Sequence, residues 1–324
     1  MITPQDADFH FKPDSHWQWV ETLAFPFAVP EANINGVIYV LTRPMLGVCM
    51  CDITLMDRIT DLWEEQAYVD NQQHLPCPKS LLEFSLPNGL SLKATRPLKH
   101  YEIQYDGIDD TRFKLDFVAL HEPYDCNDPA MDPLAAQRNG PAWDSSWSGH
   151  YEATYRITGE LVLRGKRYAV DCVETGDRSW GQRPERDNGT MIWWHAGFGD
   201  DLTVHLFTRH DIAHSNDFGA LVSGYVLDNG QVHGLVSAQG AQEYRKAVPM
   251  GGQLAVTDVR GKTLHFTYST VNSCYWAPYP SNTYLQASMR VNHNGRIGHG
   301  IQQLGLSRAY LGRHRDALST RYGG

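Results

Sequence analysis

The chain has 324 residues, 28 basic against 37 acidic, for a formal charge of −9; 42% are apolar, 11% aromatic and 20% charged. That length holds a sizeable core in one large domain or two ordinary ones, and the composition excludes wholesale disorder. The acidic balance argues against a nucleic-acid partner, which calls for a basic face.

No run reaches the roughly 18 apolar residues of a membrane-spanning helix. Residues 1–8 have neither a basic nor an apolar region of the kind that opens a secretory signal, so a cytoplasmic location is expected. Cys49, Cys51, Cys77, Cys126, Cys172 and Cys274 are too sparse for a disulfide scaffold and read as reduced thiols. Cys49-Met50-Cys51 lacks the second pair a structural zinc needs and reads as two thiols on one strand face. Next, Leu55, Ile59, Leu62 and Trp63 fall at i, i+4, i+7 and i+8, which predicts an amphipathic helix over 53–68. Asn88-Gly89 and Asp106-Gly107 are hairpin-turn dipeptides, and Phe113, Leu115, Phe117 and Ala119 alternate as in a half-buried strand. Residues 123–141, rich in Pro, Asp, Asn and Gly, read as a connector. They divide the chain into domains 1–145 and 146–324; one continuous sandwich with a long internal loop is the alternative.

In the second half Tyr151, Ala153, Tyr155 and Ile157 take one strand face and Glu152, Thr154, Arg156 and Thr158 the other. Arg164-Gly165, Asn229-Gly230, Arg260-Gly261 and Asn294-Gly295 mark further turns, Leu264, Phe266 and Tyr268 alternate, and 308–318 forms a weak helix candidate. Many short strands with closely spaced turns predict a mainly β protein, a sandwich or barrel in each half. No βαβ alternation appears.

Dinucleotide, phosphate-loop, zinc-protease and nucleophile-elbow motifs are absent. What remains is chemistry done by acids, bases and cavity shape. The reactive side chains crowd into 171–214. Asp177-Arg178-Ser179-Trp180-Gly181-Gln182-Arg183 follows a strand on which Tyr168, Val170 and Cys172 alternate. Its arginines favour a charged Asp177, and an arginine fork can hold a carboxylate or a developing oxyanion. A structural ion pair with Trp180 as a plug is the alternative. Residues 192–207 read as a hairpin with its tip at Gly199-Asp200-Asp201 or Gly199-Asp200. A three-residue tip sets His195 opposite His205 and puts Trp193, His195, His205 and Phe207 on one face, which lines a barrel interior or, equally, its outside; a two-residue tip sets Trp194 opposite His205. His205, His210 and His214 with Asp211 raise a metal reading, but no ligand signature supports it and no metal is expected. Two aromatic loops, 143–147 with Trp143 and Trp147 and 273–280 with Tyr275 and Trp276, suit an apolar ligand cavity, or simply cap a core.

The stretch Asp177–Arg183, followed by the tryptophan-rich hairpin, resembles the lipocalin-like superfamily of carotenoid 1,2-hydratases, AttH-type and tocopherol-cyclase-like proteins. The resemblance implies two consecutive lipocalin-like β domains and cofactor-free chemistry on hydrophobic substrates, such as alkene hydration or cyclisation. It also implies an acidic residue near Gln302 or Gln303; amides stand there, which leaves Asp177 as the acid.

The expected function is a cofactor-independent lyase, hydratase or isomerase acting on a terpenoid, steroid-like or aromatic molecule. Asp177 serves as general acid or base tuned by burial and Arg178, His195 is the second proton-transfer group, and His205 orients it or holds a water. Trp180, Trp194 and Trp276 shape the cavity and stabilise positive charge, with Arg183, Trp193 and Tyr275 completing the substrate-binding set. Protonating an alkene needs a raised carboxyl pKa, which two arginines oppose. Proton abstraction beside a carbonyl, with elimination or isomerisation, fits Asp177 and His195 better. The alternative is a non-catalytic carrier of a hydrophobic ligand. A homodimer is left open beside a monomer.

Overall fold

The structure, a computed structural model, describes residues 1–60, 62–138, 146–184, 189–245, 247–279 and 281–322. Residues 139–145 and Pro280, which the connector and aromatic-loop readings include in part, lie outside the described residues. The protein is mainly β and separates into two compact units: Met1–Met56, Ala67–Asn127 and Gly140–Arg183, and then Asp57–Gln66, Asp128–Asn139 and Pro184–Gly324.

The first unit is an eleven-stranded antiparallel sheet wrapped around one core. Its strands are β1 (Trp19–Val29), β2 (Ile34–Arg43), β3 (Val48–Met56), β4 (Tyr68–Pro76), β5 (Glu83–Ser85), β6 (Leu90–Arg96), β7 (His100–Asp106), β8 (Arg112–Ala119), β9 (Tyr124–Asp125), β10 (Gly149–Leu163) and β11 (Lys166–Gln182). They pair in the order β4-β3-β2-β1-β11-β10-β8-β7-β6-β5, with β9 on β10. Alternate residues, among them Phe25, Phe27, Ile53, Phe117, Tyr155 and Cys172, bury one face.

The second unit closes into an eight-stranded barrel. Its strands are β12 (Thr190–Gly197), β13 (Leu202–Arg209), β14 (Ala220–Asp228), β15 (Gln231–Arg245), β16 (Val248–Asp258), β17 (Thr263–Tyr279), β18 (Asn282–His293) and β19 (Arg296–Ser307). Two short helices, α1 (Arg308–Arg313) and α2 (Arg315–Tyr322), follow where helix is expected at 308–318. Tyr310, Leu311, Leu318 and Tyr322 pack against the barrel core. Among the described residues no helix is long and apolar enough to cross a membrane. None of the six cysteines is in a disulfide.

The turn dipeptides sit at strand ends as expected. Asn229 (φ 50°) with Gly230 (φ 81°) and Asn294 (φ 52°) with Gly295 (φ 85°) supply the paired positive φ that tight hairpins of matching twist demand.

Two expectations need correction. No helix spans 53–68. Cys49, Cys51, Ile53 and Leu55, every second residue of the wholly buried stretch 49–56, line the core from β3, which pairs with β2 and β4, and only Trp63–Glu65 coil into a single 3-10 turn. Ile59 instead bridges Ser273, and Trp63 Nε1 donates to the Tyr275 carbonyl at 2.6 Å. The apolar spacing was a coincidence between a strand end and a loop. The division also falls later than residue 145: β10 and β11 pair with β8 and β1, so the first unit runs to Arg183.

Candidate active site

The Arg164-Gly165 turn joins β10 to β11 and sets their register. Pairing runs unbroken from Leu163↔Lys166 to Gly149↔Trp180, which places Glu152 opposite Asp177 and His150 opposite Ser179. These four side chains share the face of the first sheet that points away from its core. His150 Nε2 lies 2.9 Å from Glu152 Oε1 and 3.7 Å from Asp177 Oδ2. His150 and Glu152 are 6% and 4% exposed; Asp177, at 19%, is the accessible member. Burial acts to strip the imidazole of its charge, but the Glu152 and Asp177 carboxylates outweigh it and raise the His150 pKa, with Arg183 opposing.

Trp147 stacks on the other side of this imidazole, with ring centroids 5.0 Å apart and planes at 20°. The Arg183 guanidinium sits 4.3 Å from the Trp147 ring and donates to Ser179 Oγ at 2.6 Å, and Ser179 Oγ is 2.6 Å from Thr22 Oγ1. The face therefore carries, in sequence, a guanidinium, an indole, an imidazole and two carboxylates, enough to hold an oxyanion and move a proton.

Arg178 does not join this group. Neighbouring residues of a strand point to opposite faces, and Arg178 turns into the first unit. There its Nη2 donates to Glu21 Oε2 at 2.5 Å and to the Asp8 carbonyl at 3.0 Å, and its Nη1 to the Ser179 carbonyl at 2.9 Å. Burial would raise the Glu21 carboxyl, but His10, Arg178 and Trp19 together hold it down at about 2. Trp180 lies on the same inner side, stacked on His10 at 3.6 Å. The expected tuning of Asp177 by Arg178 is therefore replaced by contact with His150 and Glu152.

In the second unit the hairpin of β12 and β13 has the three-residue tip. Phe198 N donates to the Leu202 carbonyl, and His195 pairs with His205. Trp193, His195, His205 and Phe207 share a face as expected, and of the two faces left open it is the barrel's outer one. The interior takes the more apolar alternate set, Ile192, Trp194, Ala196, Val204 and Leu206. Trp194 reaches across the barrel to Phe266 and Tyr268, with ring centroids 5.9 and 6.0 Å away. It is thus separated from Trp193.

The outer face is nonetheless buried, with His195 at 0% and His205 at 1% exposure. Trp193 lies 5.0 Å and Tyr225 5.5 Å from the His205 ring. Register across β12, β19, β18 and β17 adds Gln303, Gln286 and Cys274 in line with Trp193, and Tyr284 and Trp276 in line with Met191. Gln303 Nε2 donates to Gln286 Oε1 at 3.0 Å, and Trp276 and Tyr284 rings are 5.3 Å apart. Tyr275 takes the opposite register position, its hydroxyl 3.1 Å from Thr283 Oγ1.

The structure thus groups Asp177 and Arg183 on the first unit, and Trp193, His195, His205 and Trp276 on the second. Arg178, Trp180, Trp194 and Tyr275 stand apart from both groups. His150 and Glu152 were missed as site residues, and Trp147 was read only as part of the 143–147 aromatic loop. The Arg164-Gly165 tip was the signal for the first two, because mirroring residues about it pairs Glu152 with Asp177.

Among solved structures the fold is similar to kievitone hydratase from Nectria haematococca, at 10% identity and TM-score 0.56 over 90% of this chain and 89% of that one. It is also similar to an AttH-like protein from Nitrosomonas europaea (11%, 0.58, 90% and 92%) and to CghA with Sch210972 (11%, 0.50, 89% and 87%). At the level of fold these neighbours bear out the lipocalin-like resemblance. No curated protein matches the chain by sequence. The family model described as Domain of unknown function (DUF7064) matches residues 3–304, and the chain belongs to that family.

Proposed function

We propose that this protein is a hydratase, lyase or isomerase that moves a proton on a hydrophobic small molecule by its own side chains, without a cofactor. The observation that carries the reading is the buried His150 imidazole held between the Glu152 and Asp177 carboxylates. A carrier of an apolar ligand has no use for such a group, because burying charge is costly unless it serves structure or chemistry. The presence of a hydratase among the fold neighbours supports the reaction class.

Asp177, the exposed member, takes a proton from carbon beside a carbonyl. His150 carries the proton store behind it, and Glu152 anchors the imidazole. Arg183 offers its guanidinium to the oxyanion that forms. Elimination then returns a proton to the departing hydroxyl and releases water, and hydration is the reverse. On the second unit we assign His195 a proton-transfer role with His205 orienting it, and Trp193 and Trp276 as apolar walls.

The test is incubation with a panel of aromatic and terpenoid hydroxy-ketones and enones in deuterated water, following deuterium incorporation and water loss by mass spectrometry. Asp177→Asn and His195→Ala are each expected to slow turnover by about 100-fold or more, the usual worth of a general acid or base, with melting temperature nearly unchanged. Full activity in Asp177→Asn would overturn the assignment.

A further inference from the structure

The sequence His-Tyr-Glu occurs at 100–102 as well as at 150–152, and each copy meets an aspartate across the neighbouring strand. Glu102 on β7 pairs with Asp116 on β8, as Glu152 pairs with Asp177. In both copies the tyrosine is buried in the first unit, leaving histidine and glutamate together on the outer face.

The copies differ in closure. His150 is hydrogen-bonded to Glu152 at 2.9 Å. His100 Nε2 stands 3.4 Å from Asp116 Oδ1, longer than the usual 2.7–3.2 Å hydrogen bond. That spacing is the separation of two ligands on a tetrahedral ion with bonds of about 2.1 Å, which is roughly 3.4 Å. One ligand atom from each of His100, Glu102 and Asp116 lies within 4.8 Å of the other two. Thr95 Oγ1 lies 2.8 Å from His100 Nδ1. In the tautomer protonated at Nδ1, the Thr95 oxygen accepts that proton and Nε2 is left to serve as a ligand, the outer-sphere arrangement of metal-bound histidines. Lys93, opposite Glu102 on β6, has its Nζ 3.6 Å from Glu83. The side chains are half-buried, His100 at 26% and Asp116 at 43%, so an ion has a path in.

We infer that His100, Glu102 and Asp116 form a binding site for a divalent ion of the zinc class, separate from the proton-transfer cluster. One imidazole and two carboxylates suit zinc and leave a fourth position for water.

The experiment titrates zinc chloride into the full chain, stripped with a chelator, against a colorimetric zinc indicator. His100→Ala and Glu102→Gln should each lose one equivalent of zinc, or weaken it at least about tenfold, since even outer-sphere partners are worth ~10–100-fold. His150→Ala should bind as the parent does, and far-ultraviolet circular dichroism should show all variants folded. Zinc should also raise the parent's melting temperature and leave that of His100→Ala unmoved. No stoichiometric zinc on the parent, or loss in His150→Ala with His100→Ala intact, would overturn the site.

Discussion

Asp177 and Arg178 are neighbours in sequence, yet the pleat sends one outward to His150 and the other inward to Glu21. That division separates the chemistry proposed for Asp177 from the structural work of Arg178. Two buried groups also make stability depend on pH. The His150 pKa is raised in the fold, so its contribution is present below the ordinary histidine value of 6.5 and is lost as pH rises through the higher folded value. Denaturant titrations should show the stability gap between parent and His150→Gln narrowing toward alkaline pH; a constant gap would contradict the account. Glu174 stands opposite Tyr155 on the inner face, and burial pushes its carboxyl from 4.5 to about 8. The folded state holds a proton there that the unfolded chain has released, so this contribution is present below 4.5 and is lost as pH rises through about 8. Glu174→Gln should flatten that part of the stability profile. An unchanged slope would show that another group causes it.

At the scale of elements, much of the site was readable because turns fix register. The tip at Gly199-Asp200-Asp201 places His195 opposite His205, and the tip at Arg164-Gly165 places Glu152 opposite Asp177. What periodicity left undecided was which face of the hairpin turns inward, because Trp193 and Phe207 are as apolar as the residues that do. The supposed helix at 53–68 failed because period two in β3 outweighed a chance match to helical spacing. Close backbone approach supports His195: a Cβ at Gly300 would come within 1.9 Å of the His195 carbonyl oxygen across β12 and β19. Gly300→Ala is expected to destabilise by about 1–3 kcal/mol, the cost of an inserted group in a packed site, read by denaturant midpoint. Unchanged stability would show that β19 yields freely there.

At the scale of the molecule, both units are antiparallel β structures, each with its own core. Without disulfides their stability rests on packing, so reductant is expected to leave the melting temperature unmoved; a fall on reduction would reveal a bond between thiols. The reading of the whole chain as a proton-moving enzyme depends on an imidazole kept between two carboxylates that raise its pKa. The most direct measurement is the NMR titration of the His150 ring in the parent, Glu152→Gln and Asp177→Asn. The account predicts a pKa above 6.5 in the parent and a lower one in each variant. A parent value below 6.5, as burial alone would dictate, would contradict it.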